Sequence, residues 1–271
     1  MKKNYTTILT IAGSDGSGGA GIQADLKTFA ALECYGLSVI TTVTAQNTEG
    51  VKEAFALSGK QIEAQLLALI SDFSIDAIKI GMPGEIAGIK AIAKVIGNMK
   101  TRPPVVLDTI IRSSSGQALL SAESLEPFKS ELFPLATLVT PNLMEAIALT
   151  GRKLSIDSPE AVEETALTLN LMGAASVLVK GGHMEGSQCN DCLLHDNRIT
   201  WYSAQKIMTK NTHGTGCTLS SAIAAYLGKH LPLADAVAQA KTYTHEALEA
   251  GAAYLIGKGS GPLHHCYKFW R

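Results

Sequence analysis

Asn211-Thr212-His213-Gly214-Thr215-Gly216-Cys217 runs directly into the apolar stretch Thr218-Leu219-Ser220-Ser221-Ala222-Ile223-Ala224-Ala225-Tyr226-Leu227. Leu219, Ala222, Ile223, Tyr226 and Leu227 recur at helical spacing, so the two glycines fall where a helix starts and its first N–H groups lack partners within the helix. Glycine lets a backbone approach a phosphate closely, and the positive end of the helix dipole favours negative charge there. The residues by themselves also allow a plainer reading, a small-residue loop packed under a helix.

Upstream, strand-like and helix-like segments alternate. Thr6–Gly13 and Leu37–Thr44 are β-rich, with a helix marked by Ile22, Leu26 and Phe29 between them. Ile62, Leu66, Leu69, Ile70 and Phe73 share one helical face. Then follow a strand over Ile75–Met82, a helix over Glu85–Ile96 and strands over Pro104–Thr109, Leu135–Thr140 and Ser176–Lys180. Further helices are expected near Ser121–Leu132 and Pro159–Met172, and Cys189–Gln205 reads as a hairpin or an irregular insertion. Near-continuous apolar strands belong to a mostly parallel sheet covered by helices on both faces, an α/β fold. One domain over residues 1–271 is the simplest division. Ligands of such sheets gather beyond the strand carboxyl ends, and the unusual residues lie there: Gly13-Ser14-Asp15, Gln46-Asn47, Gly81-Met82, Asp108-Thr109, Thr140-Pro141-Asn142 and Lys180-Gly181-Gly182-His183.

The 271 residues carry a net charge of −1 and are 46% hydrophobic, which gives no field to draw nucleic acid or an acidic membrane. No window supplies the roughly 18 to 20 apolar residues of a membrane span, and the five scattered cysteines fit reduced thiols, so a cytoplasmic location is expected. Cys189 and Cys192 lack a second ligand pair at structural zinc spacing. Gly16-Ser17-Gly18-Gly19-Ala20-Gly21 matches a dinucleotide-binding fingerprint. The second strand, however, ends Val43-Thr44-Ala45-Gln46, without the acidic residue that would hold a ribose.

Phosphoryl transfer needs an acceptor, a metal-bound nucleotide and positive charge along the path of the group. Asn142 and Glu145, three apart at a helix start, suit Mg²⁺ ligation or a helix cap equally well. Lys180 at a strand end could reach nucleotide phosphates, or be an ordinary solvated lysine. Cys217 at a helix N-terminus is expected to have a thiol pKa lowered from about 8.5 and could act as a thiolate base, or simply fill space.

Ala12-Gly13-Ser14-Asp15, Gly18 to Thr28, Val43 to Thr48, Lys79-Ile80-Gly81-Met82, Thr140 to Leu143, Lys180 to His183 and His213 to Thr218, taken in order, resemble the bacterial hydroxymethylpyrimidine and phosphomethylpyrimidine kinases of thiamine synthesis. These form a vitamin-kinase branch of the ribokinase-like fold, a three-layer α/β/α sandwich with a mostly parallel central sheet. The resemblance spans nearly the whole chain. It implies a kinase that uses ATP and Mg²⁺ twice, on 4-amino-5-hydroxymethyl-2-methylpyrimidine and then on its monophosphate, and that forms a homodimer. It further implies that Gln46 reads the pyrimidine edge, with Asp25, Gly13 and Met82 lining the pocket. Asn142 and Glu145 would serve metal and phosphates, Lys180 and Thr215 the nucleotide, and Gly214, Thr215, Gly216 and Cys217 would form the anion hole. Gly16, Gln46 and Arg112-Ser113-Ser114-Ser115-Gly116 depart from residues common in the family; Gln46 replaces a glutamate of some members. A pyridoxal or pyridoxine kinase is the nearest alternative, and a non-catalytic nucleotide-binding regulator a more distant one.

Overall fold

The computed structural model describes residues 4–112, 116–151, 158–182 and 187–270. Strands β1 (Thr7–Asp15), β2 (Tyr35–Asn47) and β3 (Gly50–Ala56) enclose helix α1 (Gly21–Ala31); then come α2 (Gly59–Ile70), β4 (Ala77–Ile80), α3 (Ile86–Gly97) and β5 (Val105–Leu107). Helix α4 (Leu125–Leu132), β6 (Leu138–Val139), α5 (Leu143–Thr150), α6 (Pro159–Leu171) and β7 (Val177–Val179) follow, then the hairpin β8 (Gln188–His195) and β9 (Arg198–Gln205), and finally α7 (Thr215–Gly228) and α8 (Leu233–Gly251).

These strands form one sheet in the order β3-β2-β1-β4-β5-β6-β7-β8-β9. From β2 to β7 every pairing is parallel, and β3, β8 and β9 add antiparallel edges. Alternation along the strands divides their apolar side chains between two cores. Leu9, Ile78, Val105 and Val139 pack with Ile62 and Leu66 of α2, Ile92 of α3 and Phe128 of α4 on one face. Ile8, Ala77, Val106 and Leu138 pack with Phe29 of α1, Ile223 of α7 and Val237 of α8 on the other. This is the three-layer α/β/α arrangement expected from the sequence, and Cys189–Gln205 proves to lie in a regular hairpin.

Two elements carry no expectation from the sequence. β3 is exposed over most of its length and shows no alternation. Three of the eight buried positions of α8 are alanine (Ala236, Ala240 and Ala247), and Thr244 and Gly251 are two more, which weakens its periodic signal. His183 and Ser113 to Ser115 lie outside the described residues.

Candidate active site

A cleft of about 1080 Å³ opens where the parallel strands end, lined from one side to the other by Gly13, Gln46, Met82, Asp108, Asn142, Glu145, Lys180 and the first turn of α7. Gly13 and Gln46 belong to the last residues of their strands, Met82, Asp108, Asn142 and Lys180 lie one to three residues beyond theirs, and Glu145 sits in the first turn of α5, so the βα connections bring distant parts of the chain together.

Helix α7 starts as the sequence indicates. Gly214 is its N-cap with φ of 82°, and a Cβ there would collide with the Gly19 carbonyl oxygen, so glycine is required twice over. Thr215 N–H turns back to Thr212 O at 3.3 Å, and the Thr215 hydroxyl donates to the same oxygen at 2.7 Å. The N–H groups of Gly216 and Cys217 find no acceptor among the described residues. The open donors of this turn are therefore those of Gly216 and Cys217 rather than of the whole Gly-Thr-Gly-Cys run.

Lys180 stands beside that turn. A Cβ on Gly216 would lie 3.4 Å from Lys180 Nζ and 3.8 Å from Asp108 Oδ2. Far from being a solvated strand-end lysine, Lys180 is 14% exposed and donates to Asp108 Oδ1 at 2.9 Å, with Glu145 Oε2 at 4.0 Å. Burial works against its charge, but Asp108 and Glu145 outweigh that and raise its pKa. Asp108 also accepts from Thr140 at 3.2 Å and Ser220 at 3.1 Å. Burial opposes its ionised form, yet Lys180 and Lys79 hold its pKa below the usual value.

Of the two readings open to Asn142 and Glu145, the cap is present. They form a capping box on α5: Glu145 N–H donates to Asn142 Oδ1 at 2.9 Å and Asn142 N–H to Glu145 Oε2 at 2.8 Å. Thr109 donates to the same Oε2 at 3.2 Å. Among the described residues, every hydrogen bond to the carboxylate falls on Oε2 rather than Oε1. Burial raises the Glu145 pKa, with Lys180 opposing. No three His, Cys, Asp or Glu side chains among the described residues gather into a metal cage. One ammonium facing two carboxylates leaves local negative charge where a polyphosphate would lie, so this donor set suits a divalent cation that arrives on phosphates and keeps most of its waters.

Two expectations are corrected. Asp25 does not line the cleft. It is fully buried beneath it, with Lys79 Nζ at 2.9 Å from both of its oxygens, Thr10 donating to Oδ2 and Ser221 to Oδ1. Cys217 does reach the cleft, but burial pushes its thiol up to about 11 despite the Lys79 charge and a bond from Gly21 N–H. Desolvation of this buried residue outweighs the helix dipole, so the group is a thiol at neutral pH.

Gly13, Met82 and Gln46 all line this cleft, and a Cβ on Gly13 would displace the Met82 methyl. The sequence did not single out what stands behind them. Asp15 accepts from Ser17 N–H (2.9 Å), Ser17 Oγ (2.7 Å), Ala20 N–H (2.9 Å) and His213 Nε2 (2.8 Å). Burial raises its pKa, but these bonds, led by His213, bring it down to about 2. Two N–H groups of the Gly16–Gly21 loop are thereby taken by Asp15, a second reason that this loop does not cradle a pyrophosphate. Asp108 and Asp15 were visible only as strand-end acids, and their partners lie too far along the chain for spacing to reveal them. Arg112 lines the far wall, its Nη1 on Gly116 O at 3.2 Å.

Residues 15–264 match the family described as phosphomethylpyrimidine kinase. A Rhizobium meliloti protein named hydroxymethylpyrimidine/phosphomethylpyrimidine kinase is 46% identical over 97% of this chain and 98% of its own. A Clostridium difficile phosphomethylpyrimidine kinase structure is 40% identical with a TM-score of 0.78, covering 89% of this chain and 98% of that one. An ADP complex of Bacillus subtilis pyridoxal kinase is 32% identical with a TM-score of 0.89, covering 98% and 99%. With the family matched over most of its length, this chain belongs to the phosphomethylpyrimidine kinases.

Proposed function

We propose that the protein transfers the γ-phosphoryl group of ATP to the hydroxymethyl group of 4-amino-5-hydroxymethyl-2-methylpyrimidine, and a second one to the resulting monophosphate. The observation that carries this reading is the single cleft in which an amide-bearing wall, Gln46 with Gly13 and Met82, faces the Lys180–Asp108 pair and the open N–H groups of Gly216 and Cys217.

A loose phosphoryl-transfer transition state asks chiefly for position and charge stabilisation. Gln46 offers one donor and one acceptor to the ring nitrogen and exocyclic amine. Gly216 and Cys217 N–H, at the positive end of α7, face the phosphoryl oxygens, and Lys180 follows the charge toward the leaving phosphates. Thr215, half-buried at the same turn, is a nucleotide contact in this reading. Glu145 through Oε1, with the Asn142 side chain beside it, would hold magnesium, which when bound supplies neutralisation of the nucleotide phosphates. Cys217, protonated, packs beside the acceptor without adding a negative charge. That neutrality matters for the second step, whose acceptor already carries about −1.5 to −2. The acceptor hydroxyl's proton then passes to a phosphate oxygen or water as the new bond forms.

Pyridoxal kinase activity is the second reading, favoured by the likeness to the Bacillus subtilis enzyme. Offering the pyrimidine and pyridoxal at equal concentration with ATP and Mg²⁺ tests both: preferential loss of pyridoxal would replace the first reading. The proposal includes a homodimer and cytoplasmic residence. Val43 and Phe55, paired across the β2–β3 edge and about half exposed, offer an apolar patch for a second copy to cover, and sedimentation measures it. No helix among the described residues is long and apolar enough to cross a membrane.

A further inference from the structure

Behind the Gln46 wall, the hydrogen-bond donors and acceptors favour one arrangement of the amide over the other. Asp15 is an acceptor on both oxygens: Oδ1 takes Ser17 N–H and Oγ–H, and Oδ2 takes Ala20 N–H and His213 Nε2. A carboxylate so placed, held at about 2, has no proton to give, so His213 Nε2 carries one and donates it. The Gln46 amide meets the same Nε2 at 3.3 Å with one end, while its other end lies 3.1 Å from Thr44 Oγ1. Thr44 has a single hydroxyl proton, and it points to the Ser14 carbonyl oxygen at 2.8 Å. An amide nitrogen facing His213 would set two donors nose to nose, and an amide oxygen facing Thr44 would set lone pair against lone pair. Turned by 180°, the amide avoids both clashes: Gln46 Nε2 donates to Thr44 Oγ1, and Oε1 at 3.3 Å takes the minor share of the His213 Nε2–H whose main acceptor is Asp15 Oδ2 at 2.8 Å.

We infer that Asp15, His213 and Thr44 are positioning residues that lock the Gln46 amide in this one orientation, and that the lock sets substrate specificity. Its consequence for the cleft is a fixed order of remaining valences, an acceptor on the His213 side and a donor on the Thr44 side. A 4-aminopyrimidine edge fits with its amine toward His213 and its ring nitrogen toward Thr44. A pyrimidin-4-one edge presents the reverse order, N3–H beside a carbonyl oxygen. A freely turning glutamine would accept both, whereas a locked one rejects the oxo compound. The clamp spans the loop after β1, the end of β2 and the start of α7, and His213 is itself tied to Gly261 O by its backbone N–H at 3.0 Å.

This inference deepens the proposed function and rests on Gln46 being the ring contact. The test compares kcat/KM for 4-amino-5-hydroxymethyl-2-methylpyrimidine and its 4-oxo analogue in wild type, Gln46→Ala, Thr44→Val, Thr44→Ser and His213→Phe, with ¹⁵N NMR of His213. The expected wild-type preference for the amine is at least a hundredfold, because mismatched buried polar groups are costly. Thr44→Val and His213→Phe each free one end of the amide and lower that preference at least tenfold, while Thr44→Ser, which retains the hydroxyl, keeps it. The NMR shows Nε2 protonated. If His213→Phe does not fold, Thr44→Val and the tautomer decide. An unprotonated Nε2, or a preference unmoved in Thr44→Val while Gln46→Ala still raises KM for the amine, overturns the lock. Gln46→Ala leaving KM unchanged instead removes the ring-contact reading beneath it, and the His213 tautomer still reports on the clamp alone.

Discussion

Replacing Lys79 with methionine strands a carboxylate in the floor of the cleft. Lys79 and Asp25 are both fully buried, and the ammonium lies 2.9 Å from each carboxylate oxygen. At that distance, with an effective dielectric of about 20, their attraction is about 6 kcal/mol. Burial disfavours the Lys79 charge, and Asp25 more than restores it. In Lys79→Met, Asp25 keeps only the hydroxyls of Thr10 and Ser221. Breaking one side of such a pair costs about 3–5 kcal/mol, and at about 2–4 °C per kcal/mol for a chain of this size Tm falls by about 6–20 °C. Asp25→Asn combined with Lys79→Met removes both charges while leaving an acceptor for Thr10 or Ser221, so the double variant recovers at least about 1 kcal/mol relative to the sum of the single losses. Denaturant unfolding of the four proteins measures the cycle. A Lys79→Met variant within 1 kcal/mol of wild type, or single losses that simply add, would refute the reasoning.

Three further outcomes follow from the same geometry. Because burial pushes the Cys217 thiol up to about 11, the rate of the first phosphorylation has no thiol titration between pH 6 and 9, and Cys217→Ala lowers kcat by less than about tenfold; Cys217→Asp, which adds charge beside the acceptor, suppresses the second phosphorylation at least tenfold more than the first. Lys180→Met removes the cation facing Gly216 and reduces kcat/KM by about 10²–10³, measured by steady-state kinetics, with a smaller effect on stability. Buried His265 bonds Thr218 at 3.0 Å and its pKa is lowered from 6.5 to about 4 by burial, so the unfolded chain binds the extra proton first. That contribution to stability is whole above pH 6.5 and is lost as pH falls toward 4, amounting to about 3 kcal/mol, and the slope of stability against pH in this window flattens in His265→Gln.

The architecture was legible because both faces of the parallel strands are apolar and the helices between them are long enough to show a stripe. β3 was not, since its side chains stand in solvent and nothing there selects an alternating pattern. The site divides in the same way. Gly214 and Gly216 announce themselves through local chain geometry, and Asn142 with Glu145 through the spacing of a cap. The resemblance alone places Asp25 in the pocket, and its partner Lys79, 54 positions away, could not be read from spacing. Asp15 and His213 are separated by 198 positions, and only the packing of the two glycine loops against each other makes them neighbours. The Cys217 pKa depends on two opposed effects, dipole and desolvation, and only the folded cleft decides their balance.

Time-resolved product analysis by mass spectrometry is the most direct test of the account. With ATP, Mg²⁺ and 4-amino-5-hydroxymethyl-2-methylpyrimidine, the monophosphate should rise first and the diphosphate follow at its expense, each step consuming one ATP. ATP left unspent, or a monophosphate that accumulates and never becomes the diphosphate, would contradict it.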